Sequence, residues 1–297
     1  MTTPVPPSMT ALTAAAARAA HLIVDHEPLI FTDSLAATLL GDQADALLGY
    51  HRAHGAHDVL AVARATVTTR SRFTEERLAA AIERGTGQYV ILGAGLDSFA
   101  WRSPRAARVR VIEADRPGPQ RWKRDRLAAA GLAARGDVRF AGTDLETGSL
   151  AAALTAAGFD FGRPALVSWL GVIMYLTAGA VDRTLATLGR CAPGTELVAE
   201  YLVPGDLRDD LGRSYAEQVA PIAAERGEPW RTFLRPPEMA ALLAAHGFAV
   251  TANVPQRDSV DAALWNRADP LRPAGLGWLA HARRTGPADG DSHTSGW

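Results

Sequence analysis

The chain has 297 residues, a formal net charge of −1 and a hydrophobic fraction of 47%, which excludes a disordered chain and gives no electrostatic reason to expect nucleic acid as a partner. No apolar run approaches the ~20 residues that cross a bilayer. The single cysteine, Cys191, cannot form an internal disulfide or a cysteine-based zinc site. We therefore expect a cytoplasmic protein that acts on a small molecule without a metal and without a membrane partner.

Residues 1–85 are predicted to form a helical lid over the rest of the fold. Residues 1–10 are rich in Pro, Thr and Ser, and we expect them to be frayed. A helical pattern covers residues 13–48 with two breaks. Residues 58–69 and 74–84 then predict one long helix or two abutting helices.

From residue 86 onwards, short apolar runs alternate with helical segments. Continuous apolar strands that alternate with helices are typical of a mostly parallel sheet buried on both faces. The predicted strands span residues 89–92, 109–112, 138–141, 165–170, 196–202, 248–254 and 276–283. The resulting division is an α/β core at residues 86–204 and 236–285, an inserted helical cap at 205–235 and a disordered tail at 286–297.

The first predicted strand ends in a glycine turn, Gly93-Ala94-Gly95. Glycine has no Cβ, so a ligand can lie directly against the backbone at such a turn. Dinucleotide-binding turns carry a third glycine, and this chain has Ser98 at that position. The missing glycine argues against a bound pyrophosphate.

Acidic residues follow the next two strands. Glu113 and Asp115 close the second strand, where a carboxylate can accept hydrogen bonds from ribose hydroxyls. Asp144 closes the third strand, where its carboxylate can bind an adenine amino group while Leu145 donates its backbone N–H. Because the carboxyl ends of parallel strands meet at one edge, these residues together predict an adenosine site.

Four segments then carry a resemblance to a known family: LGAGLDSFAWR, VIEADRP, GTDL and WLGVIMYLT. In order and spacing they resemble the leucine carboxyl methyltransferase-like family, which includes bacterial S-adenosylmethionine-dependent O-methyltransferases, some acting on aromatic polyketides. The likeness runs from about Ala14 to the last strand. It implies a class I methyltransferase fold (Rossmann-like), S-adenosylmethionine as cofactor, and O-methylation of a carboxyl or phenolic hydroxyl group of a specialised metabolite.

The resemblance also implies roles for individual residues. Arg70 matches an arginine that holds the methionine carboxylate, and Arg18 matches an arginine near the substrate pocket. Lys123, the only lysine of the chain, falls where the family has a lysine. The residues implied around the adenosyl group are Gly93, Gly95, Asp115, Asp144 and Leu145.

The chain departs from the family pattern after the fourth strand. Many members have Glu-Gly before the apolar-Met-Tyr-Leu stretch, whereas this chain has Leu170-Gly171. The glutamate that often contacts the amino group of the cofactor is therefore absent. Ser168 or a backbone carbonyl is the expected substitute.

Three side chains are candidate general bases. Tyr175 and Tyr201 follow the fourth and fifth strands, so both are candidates for the substrate pocket, and His21 lies in the helical lid. For each of them, packing in the core or a capping role is the alternative. Without a convincing base, a carboxylate acceptor is favoured, since it is already ionised at neutral pH. Two further alternatives stay open: an inactive family member that serves as a binding or scaffold protein, and a nicotinamide-dependent oxidoreductase.

Overall fold

The computed structural model describes residues 7–286 of the chain. The expectations of a frayed segment at residues 1–10 and a disordered tail at 286–297 therefore fall largely outside the described residues. The first helix already begins at Met9, where the side chain of Ser8 accepts a hydrogen bond from the backbone N–H of Ala11. A serine at this position satisfies one of the free N–H groups of the first helical turn.

Seven strands form one sheet in the order β3-β2-β1-β4-β5-β7-β6. Strands β1 to β5 pair in parallel, and β7 runs antiparallel to both β5 and β6. This confirms the predicted mostly parallel sheet of seven strands. The strands are β1 Gln88–Leu92, β2 Arg110–Asp115, β3 Val138–Gly142, β4 Leu166–Trp169, β5 Glu196–Leu202, β6 Phe248–Pro255 and β7 Gly277–Arg284.

Ten α-helices surround this sheet within the described residues. The stretch 58–83 contains neither Gly nor Pro, and it forms one continuous helix rather than two abutting ones. The helices are α1 Met9–Val24, α2 Ala36–Leu40, α3 Ala44–His54, α4 Asp58–Glu83, α5 Phe99–Arg102, α6 Pro117–Ala129, α7 Leu150–Ala156, α8 Ala178–Leu188, α9 Asp210–Glu225 and α10 Pro236–Ala245. Short 3₁₀ turns occur at Gly41–Gln43, Pro104–Arg108, Ile173–Tyr175, Gly205–Leu207, Gln256–Ser259 and Ala262–Trp265.

The sheet is covered on both faces, and alternate residues of its strands face opposite cores. Val90 and Leu92 of β1 pack in one core with helices α7, α8 and α10. Tyr89 and Ile91 of the same strand pack in the other core with α1, α2 and α6. The strands read as continuous apolar runs because both of their faces are buried. Only their ends are left to form a site.

None of the helices within residues 7–286 is both long enough and apolar enough to cross a membrane.

Candidate functional site

A cavity of about 980 Å³ opens at the carboxyl ends of the parallel strands. This volume lies at the upper end of the ~300–1,000 Å³ that small-molecule pockets occupy. Helices α1, α3, α4 and α9 contribute to its other walls. In open α/β sheets, ligands bind beyond the carboxyl ends of the strands, so the cavity lies where the topology predicts a ligand. Segments that follow the strands line it at residues 92–97, 115–116, 143–146 and 170–172.

The glycine turn after β1 forms part of the cavity wall. Gly93 and Gly95 both have positive φ angles, +64° and +48°, in the left-handed region that glycine adopts without strain. A Cβ at Gly93 would lie 2.4 Å from a methyl carbon of Val172, so packing inside the protein requires this glycine. At Gly95 the nearest atom to such a Cβ would be the Cβ of Ala11, at an ordinary 3.4 Å.

Asp115 and Asp144 both line the cavity; Asp115 is the last residue of β2, and Asp144 lies two residues after the end of β3. Asp115 accepts hydrogen bonds from the backbone N–H of Gly95 at 2.6 Å and from that of Arg116 at 2.7 Å. Asp144 accepts one from the backbone N–H of Glu146 at 2.8 Å. Since a carboxylate offers about four lone-pair sites, each retains acceptor capacity toward a ligand. Leu145 lies beside them on the cavity wall.

Two arginines predicted from the resemblance also reach the cavity. Arg18 on α1 donates from Nε to Asp33 at 2.8 Å and from Nη2 to the carbonyl of Leu96 at 2.7 Å. The second bond ties α1 to the segment that follows the glycine turn. Arg70 on α4 donates from Nη1 to Glu200 at 2.7 Å.

With this geometry established, comparison with known proteins decides the family. The family model described as leucine carboxyl methyltransferase matches residues 11–189, more than half of the chain.

The chain belongs to the leucine carboxyl methyltransferase family.

Individual relatives extend the comparison. A Frankia alni protein, provisionally named an S-adenosyl-L-methionine-dependent methyltransferase, is 37% identical over 173 residues, which are 58% of this chain and 55% of the relative. The Bacillus subtilis protein YktD, provisionally named in the same way, is 29% identical over 208 residues, 69% of this chain and 68% of YktD. The chain spans about half the length of the first curated relatives it matches.

The solved structures support the class I methyltransferase fold. A provisionally named methyltransferase from Thermobifida fusca aligns with a TM-score of 0.59 at 19% identity, covering 95% of this chain and 96% of that one. A Streptomyces avermitilis protein aligns with a TM-score of 0.57 at 18% identity, covering 91% and 97%. At such low identity the similarity concerns the fold alone.

Glu113 does not reach the cavity, which corrects its predicted contact with ribose. It lies inside β2, two residues before the carboxyl end of the strand, and is fully buried. Both of its carboxylate oxygens accept hydrogen bonds from Nζ of Lys123, at 2.8 and 2.7 Å. Burial raises the pKa of Glu113 to about 7, with Lys123 opposing that shift. The only lysine of this family member therefore serves as the partner of a buried carboxyl group.

Ser168 and Tyr201 are also placed away from the cavity wall. Ser168 lies inside β4, buried, and its hydroxyl is 2.9 Å from the hydroxyl of Tyr89. Tyr201 is buried in the core and donates its hydroxyl proton to Asn253 at 2.7 Å. Strand residues alternate between faces, so Tyr201 points away from the side on which its neighbour Glu200 lines the cavity. Neither residue is available to a ligand, contrary to the expectation.

His21 is excluded as a general base by its hydrogen bonds. Its ring is fully buried, with Nδ1 at 2.8 Å from Asp25, while Nε2 accepts a hydrogen bond from the backbone N–H of Ile30 at 3.0 Å. Asp25 also binds Arg64 through both carboxylate oxygens, at 2.8 and 2.9 Å. His21 is therefore part of a buried network that fastens the helices before β1 to one another.

Tyr175 does line the cavity, at the end of the 3₁₀ turn that follows β4. Burial raises the pKa of its hydroxyl above the ordinary value of 10. At neutral pH the hydroxyl is therefore protonated, and it can donate a hydrogen bond to a ligand but cannot act as a base.

Glu200 and His51 are among the cavity residues that sequence reasoning missed. Glu200 could have been noticed as a carboxylate near the end of an apolar strand, ELVAEYL. His51 is buried, and burial together with the nearby Arg64 lowers its pKa to about 4. Because Arg64 can only donate, Nδ1 of His51 is the acceptor at 3.4 Å, which leaves the ring proton on Nε2.

Three histidines recur at every third position, namely His51, His54 and His57, but their side chains do not point to a common site. His51 is buried, whereas His54 and His57 are exposed. Within residues 7–286, no three His, Cys, Asp or Glu side chains are grouped so that they could hold a metal ion.

Proposed function

We propose that the protein is an S-adenosylmethionine-dependent methyltransferase that methylates an oxygen of a small acceptor, a carboxyl or phenolic hydroxyl group of a polyketide-like metabolite. One observation carries the proposal: a single cavity is bordered by the glycine turn, Asp115 and Asp144 at three adjacent strand ends. In a member of the leucine carboxyl methyltransferase family, that arrangement suits an adenosyl group.

The residues present fit the cofactor. Asp115 has free lone pairs for the ribose hydroxyls while it holds the backbone of Gly95 in place. Asp144 keeps one carboxylate oxygen free of partners among the described residues, and that oxygen suits an adenine amino group. Leu145 offers apolar surface to the ring. Arg70 would hold the carboxylate of the cofactor's amino-acid part.

The bound cofactor would supply a methyl group that its sulfonium already activates. The task of this chain is then to orient the acceptor and to exclude water, and complete orientation lowers a barrier by up to about 7–11 kcal/mol. The lid proposed for residues 1–85 and the cap proposed for residues 205–235 are suited to this. Ala11 of α1 lies beside the glycine turn, and Thr10 donates a hydrogen bond to Glu228.

Part of the cavity wall is apolar and aromatic. Tyr215 and Ile222 of α9, Met174, Tyr175 and Trp230 line it. The side chains first considered as bases cannot take a proton there: Tyr201 and His21 lie elsewhere, and the Tyr175 hydroxyl is protonated. This favours a carboxylate acceptor, which needs no base at neutral pH.

The first test is isothermal titration calorimetry with S-adenosylhomocysteine. We expect the wild-type chain to bind it, Asp115→Ala to lose binding, and Asp125→Ala, an exposed acid on α6, to bind normally. Lack of binding to the wild-type chain refutes the proposal. If NADH or NADPH binds instead, the oxidoreductase alternative is supported.

The second test separates an enzyme from an inactive binding protein. The chain is incubated with labelled S-adenosylmethionine and a panel of aromatic carboxylic acids and phenols, and label transfer is measured. Transfer to a carboxylic acid is the expected result. Tight binding of S-adenosylhomocysteine without transfer to any acid or phenol favours the scaffold alternative.

A further inference from the structure

Arg70 and Glu200 form an ion pair on the wall of the cavity. Nη1 of Arg70, on α4, donates to Oε2 of Glu200, on β5, at 2.7 Å. The side chain of Glu200 is 1% exposed and that of Arg70 is 14% exposed. A buried ion pair adds little net stability, because both charges lose water. Its position on a cavity wall therefore calls for a reason other than stability.

Both partners keep unused hydrogen-bonding capacity. Among the described residues, Glu200 is the only hydrogen-bond partner of the Arg70 guanidinium, which has five N–H donors. Glu200 accepts from Arg70 and from Nε2 of Gln256, so about two of its four lone-pair sites are free. A ligand with one anionic and one cationic group can therefore bind both side chains without breaking the pair.

Glycines on either side make room for this arrangement. A Cβ at Gly171 would lie 2.8–3.1 Å from the guanidinium atoms of Arg70. A Cβ at Gly277 would lie 2.9–3.1 Å from the amide atoms of Gln256, which is buried and donates to Glu200. The ion pair is thus held from both sides and leaves the cavity as its open side.

We infer that Glu200 binds the ammonium group of the cofactor, beside Arg70, which the family resemblance already assigns to the cofactor carboxylate. This inference rests on the proposed function. Trp169 of β4 pairs with Ala199 of β5, so the next residues, Leu170 and Glu200, are neighbours at the carboxyl end of β4. Leu170 is apolar, and Glu200 of β5 supplies a carboxylate beside the carboxyl end of β4, where an ammonium group needs one.

Glu200 would also matter if it only positioned Arg70, and four adenosine ligands separate the two roles. S-adenosylhomocysteine carries both the ammonium and the carboxylate group. The 5′-S-(3-aminopropyl) thioether of adenosine keeps only the ammonium group, and the 5′-S-(3-carboxypropyl) thioether keeps only the carboxylate. 5′-Methylthioadenosine carries neither.

Calorimetry of the whole chain with these four ligands tests the inference. Glu200→Gln should weaken the two ammonium-bearing ligands by about 10- to 100-fold, the range for a hydrogen bond between charged groups. It should leave the carboxypropyl ligand and 5′-methylthioadenosine within about twofold. Glu196→Gln is the matched control, because Glu196 is a buried, ion-paired acid on the same strand that does not line the cavity. It should change none of the four affinities.

The contrary outcomes are distinct. If Glu200→Gln weakens the carboxypropyl ligand as much as the aminopropyl ligand, Glu200 only positions Arg70 and the inference is overturned. If it weakens neither, Glu200 has no role in binding. If the wild-type chain binds none of the four, the proposed function itself fails. Should Glu200→Gln not fold, Gln256→Leu removes the hydrogen bond to Oε1 and should weaken the same two ammonium-bearing ligands, and equal effects on all four would overturn the inference.

Discussion

Gly171→Ala should reduce affinity for S-adenosylhomocysteine by displacing the guanidinium of Arg70. Gly171 has a φ of +69°, and a Cβ there would lie 2.8 Å from Nη1, 3.0 Å from Nη2 and 3.1 Å from Cζ of Arg70. Ordinary contacts between non-bonded heavy atoms begin near ~3.5 Å, so the guanidinium must move by roughly 0.5–1 Å. If the move lengthens the 2.7 Å hydrogen bond between Arg70 and Glu200, that bond reaches or passes its usual limit of about 3.2 Å.

Two separate effects follow from this substitution. The left-handed backbone costs an alanine about 1–2 kcal/mol of folding free energy. The displaced guanidinium should weaken S-adenosylhomocysteine by about 10-fold, since part of a hydrogen bond between charged groups is lost. 5′-Methylthioadenosine has no amino-acid part, so its affinity should stay unchanged. Urea unfolding measures the first effect, and calorimetry with the two ligands measures the second.

Gly85→Ala is the matched control. Gly85 also has a positive φ, +95°, but a Cβ there would meet no atom within 4 Å. It should lose a similar 1–2 kcal/mol of folding free energy and bind both ligands like the wild-type chain. If Gly171→Ala binds S-adenosylhomocysteine as tightly as Gly85→Ala does, the position of Arg70 does not govern cofactor affinity and the reasoning is refuted.

Three further predictions concern the buried polar groups. Lys123→Met should lower the free energy of unfolding, measured in urea, by about 3–5 kcal/mol, because it leaves the buried carboxyl group of Glu113 without its partner. Arg121→Met, at an exposed position, should change that free energy by less than about 0.5 kcal/mol, and similar losses in the two variants would contradict this account. Glu75 lies on α4, where desolvation raises its pKa to about 7 although it accepts a hydrogen bond from Arg102. The folded state therefore holds this proton more tightly than the unfolded chain, whose pKa is near 4.5, so wild-type stability should fall relative to Glu75→Gln as the pH rises from 5 to 8; parallel pH profiles would argue against this account. Tyr201→Phe should lower the free energy of unfolding by about 1 kcal/mol and leave the affinity for S-adenosylhomocysteine unchanged. A weaker affinity would show that Tyr201 contributes to the binding site after all.

Much of the fold could be predicted from the sequence because strands that are buried on both faces appear as short, continuous apolar runs. Runs such as Tyr89–Leu92 are apolar at every position because both faces of the sheet are covered, and Gly93 and Gly95 mark the end of the strand. The residues that line the cavity directly after strands, such as Asp115 and Asp144, could be placed for the same reason. Their position depends on where a strand ends, which the sequence shows.

Residues inside the strands could not be placed in this way. Glu113 lies only two residues from Asp115, yet α6 covers it and Lys123 neutralises it. Ser168 and Tyr201 found partners on other elements of the fold, Tyr89 and Asn253. No local pattern identifies those partners, because the contacts join residues separated by 52 positions or more.

The sequence by itself determined the order of strands and helices, the glycine turn and the family of this chain, because each depends on periodicity or on short motifs. The tertiary structure alone decided which charges meet. Arg70 and Glu200 are 130 positions apart, and their pairing exists only because α4 packs near β5, where Phe73 and Val198 share one apolar cluster. Hydrogen bonds and ion pairs act over a few ångströms in space, so the chemistry of the cavity wall depends on how the elements pack against one another.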